Sequence, residues 1–276
     1  MQKTSYIIAL ICYTLLYYPT QAQIENPAMG ARAYGMANAS VSLKDHWAIF
    51  NNVAGMAGVK KISGQIAYHN QFGIANFQTF ALGIVAPLKV GVAGLSVSRF
   101  GDQLYSEQRL GLGYSHQIKN VSLGAKINYL QVRIQDLDSQ GAFAFEFGGV
   151  ARLSKEVLFG AHIYNFNQGQ LNTAFGDTEK VPVIMKVGLS YQPVPALLLN
   201  IETEKDIDLP ATFKAGVEYE LVKNILLRTG IQTAPFNNFF GVGFTPRWFH
   251  LNYALSTNDP LGISHHLSFT YQLSKK

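Results

Sequence analysis

From Ile62 to the C-terminus the chain alternates. Leu110, Leu112 and Tyr114 stand against Arg109, Gly111, Gly113 and Ser115, and Val121, Leu123, Ala125, Ile127 and Tyr129 against Ser122, Gly124, Lys126 and Asn128. The same two-residue period runs through Phe143, Phe145 and Phe147, through Val183, Met185, Val187, Leu189 and Tyr191, through Phe213, Ala215, Val217 and Tyr219, and through Leu267, Phe269, Tyr271 and Leu273. Successive strand side chains point to opposite faces, so each run predicts a strand with one apolar and one polar or small face. About fourteen such strands are predicted, near residues 62–70, 76–88, 89–99, 105–118, 120–134, 140–153, 155–166, 182–192, 196–204, 211–221, 223–233, 236–245, 247–257 and 264–274. Short connections such as Ile118-Lys119-Asn120, Ser154-Lys155 and Val222-Lys223-Asn224 fall at every second junction, and the longest of the others runs from Asn165 to Lys180. An even number of strands joined in this way predicts an all-β membrane protein, a transmembrane antiparallel β-barrel with tight turns at the periplasmic end.

Alternation alone does not say which face points outward. Three features place the apolar face outside. The polar parity is mostly Gly, Ser and Ala with isolated charges of both signs, which suits a filled lumen better than a solvated surface. Aromatics gather near strand ends, with Tyr68, Tyr129, Phe166 and Phe236 at one rim and Tyr191, Tyr219, Trp248, Phe249 and Tyr271 at the other, as membrane girdles require. The third feature is the leader. Residues 1–22 combine Lys3, an apolar run from Tyr6 to Tyr18 and the small-residue site Thr20-Gln21-Ala22, the pattern of a cleaved secretory signal peptide.

Residues 23–60 lack the two-residue period. Between Pro27 and Val59 the chain is rich in Ala, Gly and Ser and carries Arg32, Lys44 and Asp45 as its charges. Such a stretch can pack in a confined space, so it is expected to be an N-terminal hatch, or plug, inside a barrel formed by residues 61–276. Its expected contact residues are Arg32, Asp45, Trp47, Phe50, Asn52 and Gly55. Trp47, Ile49 and Phe50 would fill much of a lumen narrower than that of an open porin.

Composition removes several kinds of chemistry. The single cysteine, Cys12, lies in the leader, so thiol and disulfide chemistry is not expected. Loss of Lys3 with the leader changes the formal charge from +5 to +4, and the basic residues are scattered, so nucleic acid is not an expected partner. No cofactor motif or metal-ligand cluster is read, and no enzyme is expected. His250, Asn252 and Ser268 could be drawn as a hydrolytic trio on neighbouring strands, but the usual partners of such a trio are missing. His265 and His266 are adjacent on a strand, cannot face one metal, and are expected at the rim. Arg109, Lys126, Glu146, Arg152, Lys186, Lys214, Glu218 and Arg228 are the expected lumen charges, which should pair with one another and with the hatch.

The N-terminal residues also carry a resemblance. Gly30-Ala31-Arg32, Gly35-Met36-Ala37, Trp47-Ala48 and Phe50-Asn51-Asn52-Val53-Ala54-Gly55-Met56 resemble the hatch of FadL-type outer-membrane barrels, and among them the PorV/PorQ-like group of Bacteroidota. Where that family reads Asn-Pro-Ala-Gly-Leu, this chain has Val53 in place of the proline. The resemblance spans the mature chain and implies a hatch followed by about fourteen strands in the outer membrane.

It implies two functions of different kinds. The first is a non-enzymatic binding or scaffolding subunit of an outer-membrane protein export or assembly machine of the type IX secretion kind, docking protein partners through surface loops. Leu171, Phe175, Asp177, Asp206 and Asp208 are the candidate contacts, a mixture of apolar and acidic residues suited to a wet interface. The alternative is a FadL-like passive transporter of hydrophobic small molecules, which needs a contiguous apolar pocket that the polar, glycine-rich lumen parity does not promise. Outer-membrane lipids would surround the barrel in either case.

Overall fold

The computed structural model describes residues 28–137, 139–172, 178–258 and 261–273; the leader expected over 1–22 lies outside them. Among the described residues there are sixteen strands: β1 (Ser63–Asn70), β2 (Gln78–Pro87), β3 (Val92–Gly101), β4 (Tyr105–Ile118), β5 (Val121–Ile134), β6 (Gln140–Arg152), β7 (Val157–Tyr164), β8 (Gln170–Asn172), β9 (Thr178–Lys180), β10 (Ile184–Val194), β11 (Leu197–Asp206), β12 (Thr212–Val222), β13 (Ile225–Thr233), β14 (Phe236–Phe244), β15 (Phe249–Asn258) and β16 (Gly262–Gln272). Fourteen of them form one closed barrel in which each strand pairs with its sequence neighbours, and β7 pairs directly with β10. The ring closes where β1 meets β16 antiparallel, from Ser63 opposite Gln272 to Asn70 opposite His265. The remaining two strands, β8 and β9, form a hairpin of their own within the longest loop. Sequence alternation does not reveal that hairpin, because three residues are too few to establish a period.

The apolar parity faces out. Leu110, Leu112, Leu123, Phe143, Phe147, Val187, Phe213 and Leu267 are exposed, while Ser122, Lys126, Asn128, Glu146, Ser190, Lys214 and Ser268 on the opposite parity are buried. In water such a continuous apolar wall would far exceed the patches of a few hundred Å² that soluble monomers tolerate. A lipid environment removes the penalty, and the backbone groups are satisfied because a closed barrel has no free edge. Aromatic contacts reinforce both rims: Tyr129 packs on Phe143 with ring centroids 5.2 Å apart at the long-loop end, and Phe249 on Phe269 at 5.9 Å at the short-turn end. Phe236 and Trp248, each 65 % exposed, mark the two ends.

Two parity assignments differ. Val183 precedes β10 and is buried, its carbonyl accepting the Ile207 N–H at 3.2 Å; the strand begins one residue later. Arg152, expected in the lumen, is exposed at the end of β6.

Residues 28–59 lie in the lumen, against strands on all sides of it. Two short helices, α1 (Ala31–Tyr34) and α2 (Ala48–Asn51), and a 3-10 segment over Val53–Gly58 provide its regular structure. Asn52 starts that segment by accepting the Ala54 N–H on its side-chain oxygen, at 3.2 Å. Glycines on the inner wall let the two backbones approach. A Cβ on Gly124 of β5 would stand 2.7 Å from the Ala54 nitrogen, and one on Gly230 of β13 2.6 Å from that of Ala37. Gly94, Gly113, Gly160 and Gly216 face the same segment at comparable range, so a belt of glycines from β3 to β13 matches its outline.

Candidate functional site in the lumen

The densest chemistry of the chain lies where the N-terminal segment meets the wall. Arg32 leaves α1 toward β12 and donates through Nε and Nη2 to the two oxygens of Glu218, at 2.9 and 2.6 Å; its Nη1 donates to Asp45 at 3.1 Å. From the other side Arg228 Nε donates to Glu218 Oε2 at 2.6 Å, and its Nη1 to Asn252 at 2.9 Å. Burial alone would lower the pKa of the Arg32 guanidinium, but the adjacent Glu218 and Asp45 carboxylates outweigh it and raise the pKa above the ordinary range. A two-pronged guanidinium–carboxylate pair fixes orientation as well as charge.

Farther round the barrel, the Glu202 carboxylate of β11 accepts the backbone N–H groups of Ser40 and Val41 at 2.8 and 2.7 Å. Lys214 reaches Glu204 at 2.7 Å and Lys186 reaches the same carboxylate at 3.0 Å. Lys126 and His162 converge on Glu146 at 3.3 and 3.1 Å. Of the expected lumen charges, Lys126, Glu146, Lys186, Lys214, Glu218 and Arg228 therefore pair inside, whereas Arg109 lies nearer the long-loop end beside Glu107 at 3.1 Å. Glu107, Glu202 and Glu204 were not among the expected charges. A parity count along β11 would have found two of them, because Glu202 and Glu204 share the face of Asn200, whose amide donates to the Ala39 carbonyl at 2.9 Å.

The other expected contact residues have definite places. Trp47 Nε1 donates to Thr270 at 3.1 Å, and Asp45 Oδ1 accepts the Trp47 N–H at 2.9 Å. Phe50 packs against Trp47 with centroids 5.7 Å apart and lies 5.9 Å from Lys126 Nζ. Asn52 Nδ2 donates to the Val41 carbonyl at 2.5 Å, with the Gly149 and Ala161 carbonyls each 3.3 Å away. Gly55 lies under the Leu43 carbonyl, where a side chain would collide.

The hydrolytic trio is not assembled. Ser268 Oγ accepts the Ala31 N–H at 3.0 Å, Asn252 is held by Arg228, and His250 Nε2 contacts Gln272 at 3.0 Å. His265 is exposed, but His266 is fully buried rather than at the rim. Its ring stacks on His69 with centroids 5.0 Å apart, and its Nε2 accepts the Gly30 N–H at 3.3 Å.

At the long-loop end part of the inner wall is apolar, beside the Arg109–Glu107 pair. Leu130 and Val132 of β5, Ala142 and Ala144 of β6, Tyr164 of β7 and Ile184 of β10 form one buried cluster that also takes in Leu171 and Val181. The β8–β9 hairpin folds inward over it, tied down by Asn165, whose amide donates to Val181 at 2.8 Å. This corrects one expected partner contact: Leu171 is 2 % exposed, its side chain spent inside the molecule rather than offered to a partner. Phe175 and Asp177 lie outside the described residues. Asp206 is half-buried and Asp208 exposed in a turn closed by the Asp208 N–H on Asp206 Oδ1 at 3.0 Å.

Two apolar grooves mark the outer wall. One of about 580 Å³ runs between Phe159, Val187, Ile201, Phe213 and Ile231 over Ala215. The second, about 480 Å³, lies between Leu112, Ile127, Phe145, Phe147 and Phe166 over Ala125.

No protein-family model matches the chain, and no curated protein matches it. Solved structures do. The Ralstonia pickettii toluene transporter TbuX aligns with TM-score 0.71 at 10% identity over 90% of this chain and 99% of that one. The Pseudomonas putida toluene transporter TodX aligns with TM-score 0.69 at 11% identity over 91% and 100%. A Pseudomonas aeruginosa FadL homologue aligns with TM-score 0.64 at 14% identity over 90% and 99%. The chain therefore has the fold of FadL-type channels, a closed barrel of fourteen antiparallel strands.

Proposed function

We propose that the chain is a passive conduit for small hydrophobic molecules across the outer membrane. The observation that carries this reading is the apolar cluster inside the long-loop mouth, where Leu130, Val132, Ala142 and Tyr164 face the lumen under Leu171. The cluster packs as a small core under the β8–β9 hairpin, and displacing Leu171 would open its apolar surface to a hydrocarbon entering from the cell surface. The fold shared with the toluene transporters supports the same reading.

In this proposal residues 1–22 are a cleaved leader, 23–60 a hatch and 61–276 the barrel, with outer-membrane lipids around it. The solute would pass from the apolar cluster around the hatch, whose Trp47 and Phe50 supply apolar surface beside the wall. Toluene binding by the purified full chain, measured in detergent and followed by toluene uptake into cells expressing it, tests the reading. Binding that weakens with Leu130→Asp supports a conduit. A barrel that takes up no toluene and leaves native membranes with a stoichiometric protein partner would favour the scaffold instead.

The scaffold reading, an export-machine subunit with PorV/PorQ-like kin, retains the exposed turn of Ile207, Asp208 and Leu209 as its support. Leu171, folded inward, is not part of that surface.

A further inference from the structure

At the short-turn end of the lumen, beneath the N-terminal segment, lies a chamber of about 450 Å³, within the size range of small-molecule sites. Its lining is unbalanced in charge. Arg32, Lys44, Lys60, Lys61 and Arg228 contribute five positive charges against the two negative charges of Asp45 and Glu218, a formal excess of three from five minus two. Both carboxylates are already engaged, Glu218 by two guanidiniums and Asp45 by Arg32 and the Trp47 N–H. Among the described residues, Lys44, Lys60 and Lys61 make no hydrogen bond or ion pair. The free hydrogen-bonding capacity of the chamber is therefore mostly that of donors.

We propose that this chamber binds a small, multiply charged anion, presented through carboxylate or phosphate oxygens and entering from the short-turn side. Unpaired ammonium groups on the walls of a concave site attract such a ligand, because the low-dielectric surroundings focus their field into it. Lys44 is the best placed of the three. Partial burial and the like charge of Arg152 hold its pKa below the ordinary lysine range, and the opposite charge of a bound anion would offset both effects. The site is separate from the apolar cluster at the opposite mouth and does not depend on what passes through the barrel.

The test is calorimetric titration of the full chain in neutral detergent at low ionic strength, with citrate as the carboxylate probe and pyrophosphate as the phosphate probe. Saturable binding is expected for at least one, and the stronger binder identifies the oxygen chemistry. Replacing Lys44, Lys60 and Lys61 together with Gln should weaken it about tenfold or more, since charge-assisted contacts carry it. The control replaces Lys119, Lys155 and Lys223, exposed in the tight turns, with Gln; it removes the same charge outside the chamber and should leave binding within about twofold. Should the triple variant fail to fold, Lys61→Gln compared with Lys61→Arg provides the same contrast. Absence of saturable binding by either probe, or equal weakening in the control, would overturn the proposal.

Discussion

Arg32 and Glu218, 186 positions apart, meet as a two-pronged pair with Nε–Oε2 at 2.9 Å and Nη2–Oε1 at 2.6 Å. One belongs to the segment in the lumen and the other to β12, so the contact ties content to wall. Removing Arg32 takes one of two guanidiniums from the nearly buried Glu218, which keeps Arg228, and breaking one side of such a network usually costs more than the single pair contributes. Arg32→Gln should lower unfolding stability by about 1–3 kcal/mol, discounted because the Arg32 side chain is 26 % exposed. Glu218→Gln should cost at least as much, because it also leaves the buried Arg228 without its carboxylate. Denaturant unfolding of the two single variants and the double variant gives the coupling; strict additivity would mean that the pair is energetically idle.

The glycine belt makes a steric prediction. Gly124→Val and Gly230→Val should each drive a side chain into the backbone at Ala54 or Ala37, whereas Gly64→Val meets nothing within 4 Å and should be tolerated. Limited proteolysis of the N-terminal segment is the readout. Cleavage between residues 28 and 59 should accelerate in the first two variants and not in the third.

Outward and inward positions should fail for different reasons. Leu123→Arg and Val187→Arg place a charge on the lipid face, at a cost of about 2–4 kcal/mol near the midplane. Those variants should fold in detergent yet insert poorly into vesicles. Ser190→Arg should misfold in both, because the Ser190 hydroxyl lies 2.6 Å from that of Ser42 and leaves no room for a longer side chain.

Conductance tests the segment as a hatch. The full-length barrel in a planar bilayer should pass little current, and deletion of residues 28–58 should open a continuous aqueous path. Equal, low conductance in both forms would mean that wall side chains close the lumen by themselves.

The barrel was legible because its rule is local. Leu123, Gly124 and Lys126 announce their faces by position alone, and fourteen repetitions of the rule, with tight turns between, define a closed wall. Height within the lumen was not legible: His266 was expected at the rim, and only the register of β16 with β1 sets it opposite His69. Partner choice among charges was also hidden, since Glu146 gathers Lys126 and His162 from two different strands while the sequence records only that all three exist. Leu171 was misread because apolar residues in a long loop look alike whether they face outward or fold back. Its direction depends on the Asn165 side chain and the Leu130 surface, neither of which is near it in a strand pattern.

The grip of β16 on the beginning of the described chain bears on how the molecule is put together. The Gly30 and Ala31 N–H groups rest on His266 and Ser268, 236 and 237 positions away, contacts that span almost the whole polypeptide. Contacts of such separation form slowly, since a very long loop must close first. The strand that seals the seam with β1 is the last of the described chain, and the segment it grips is the earliest. Assembly then couples two events, because one strand both closes the wall and holds the filling.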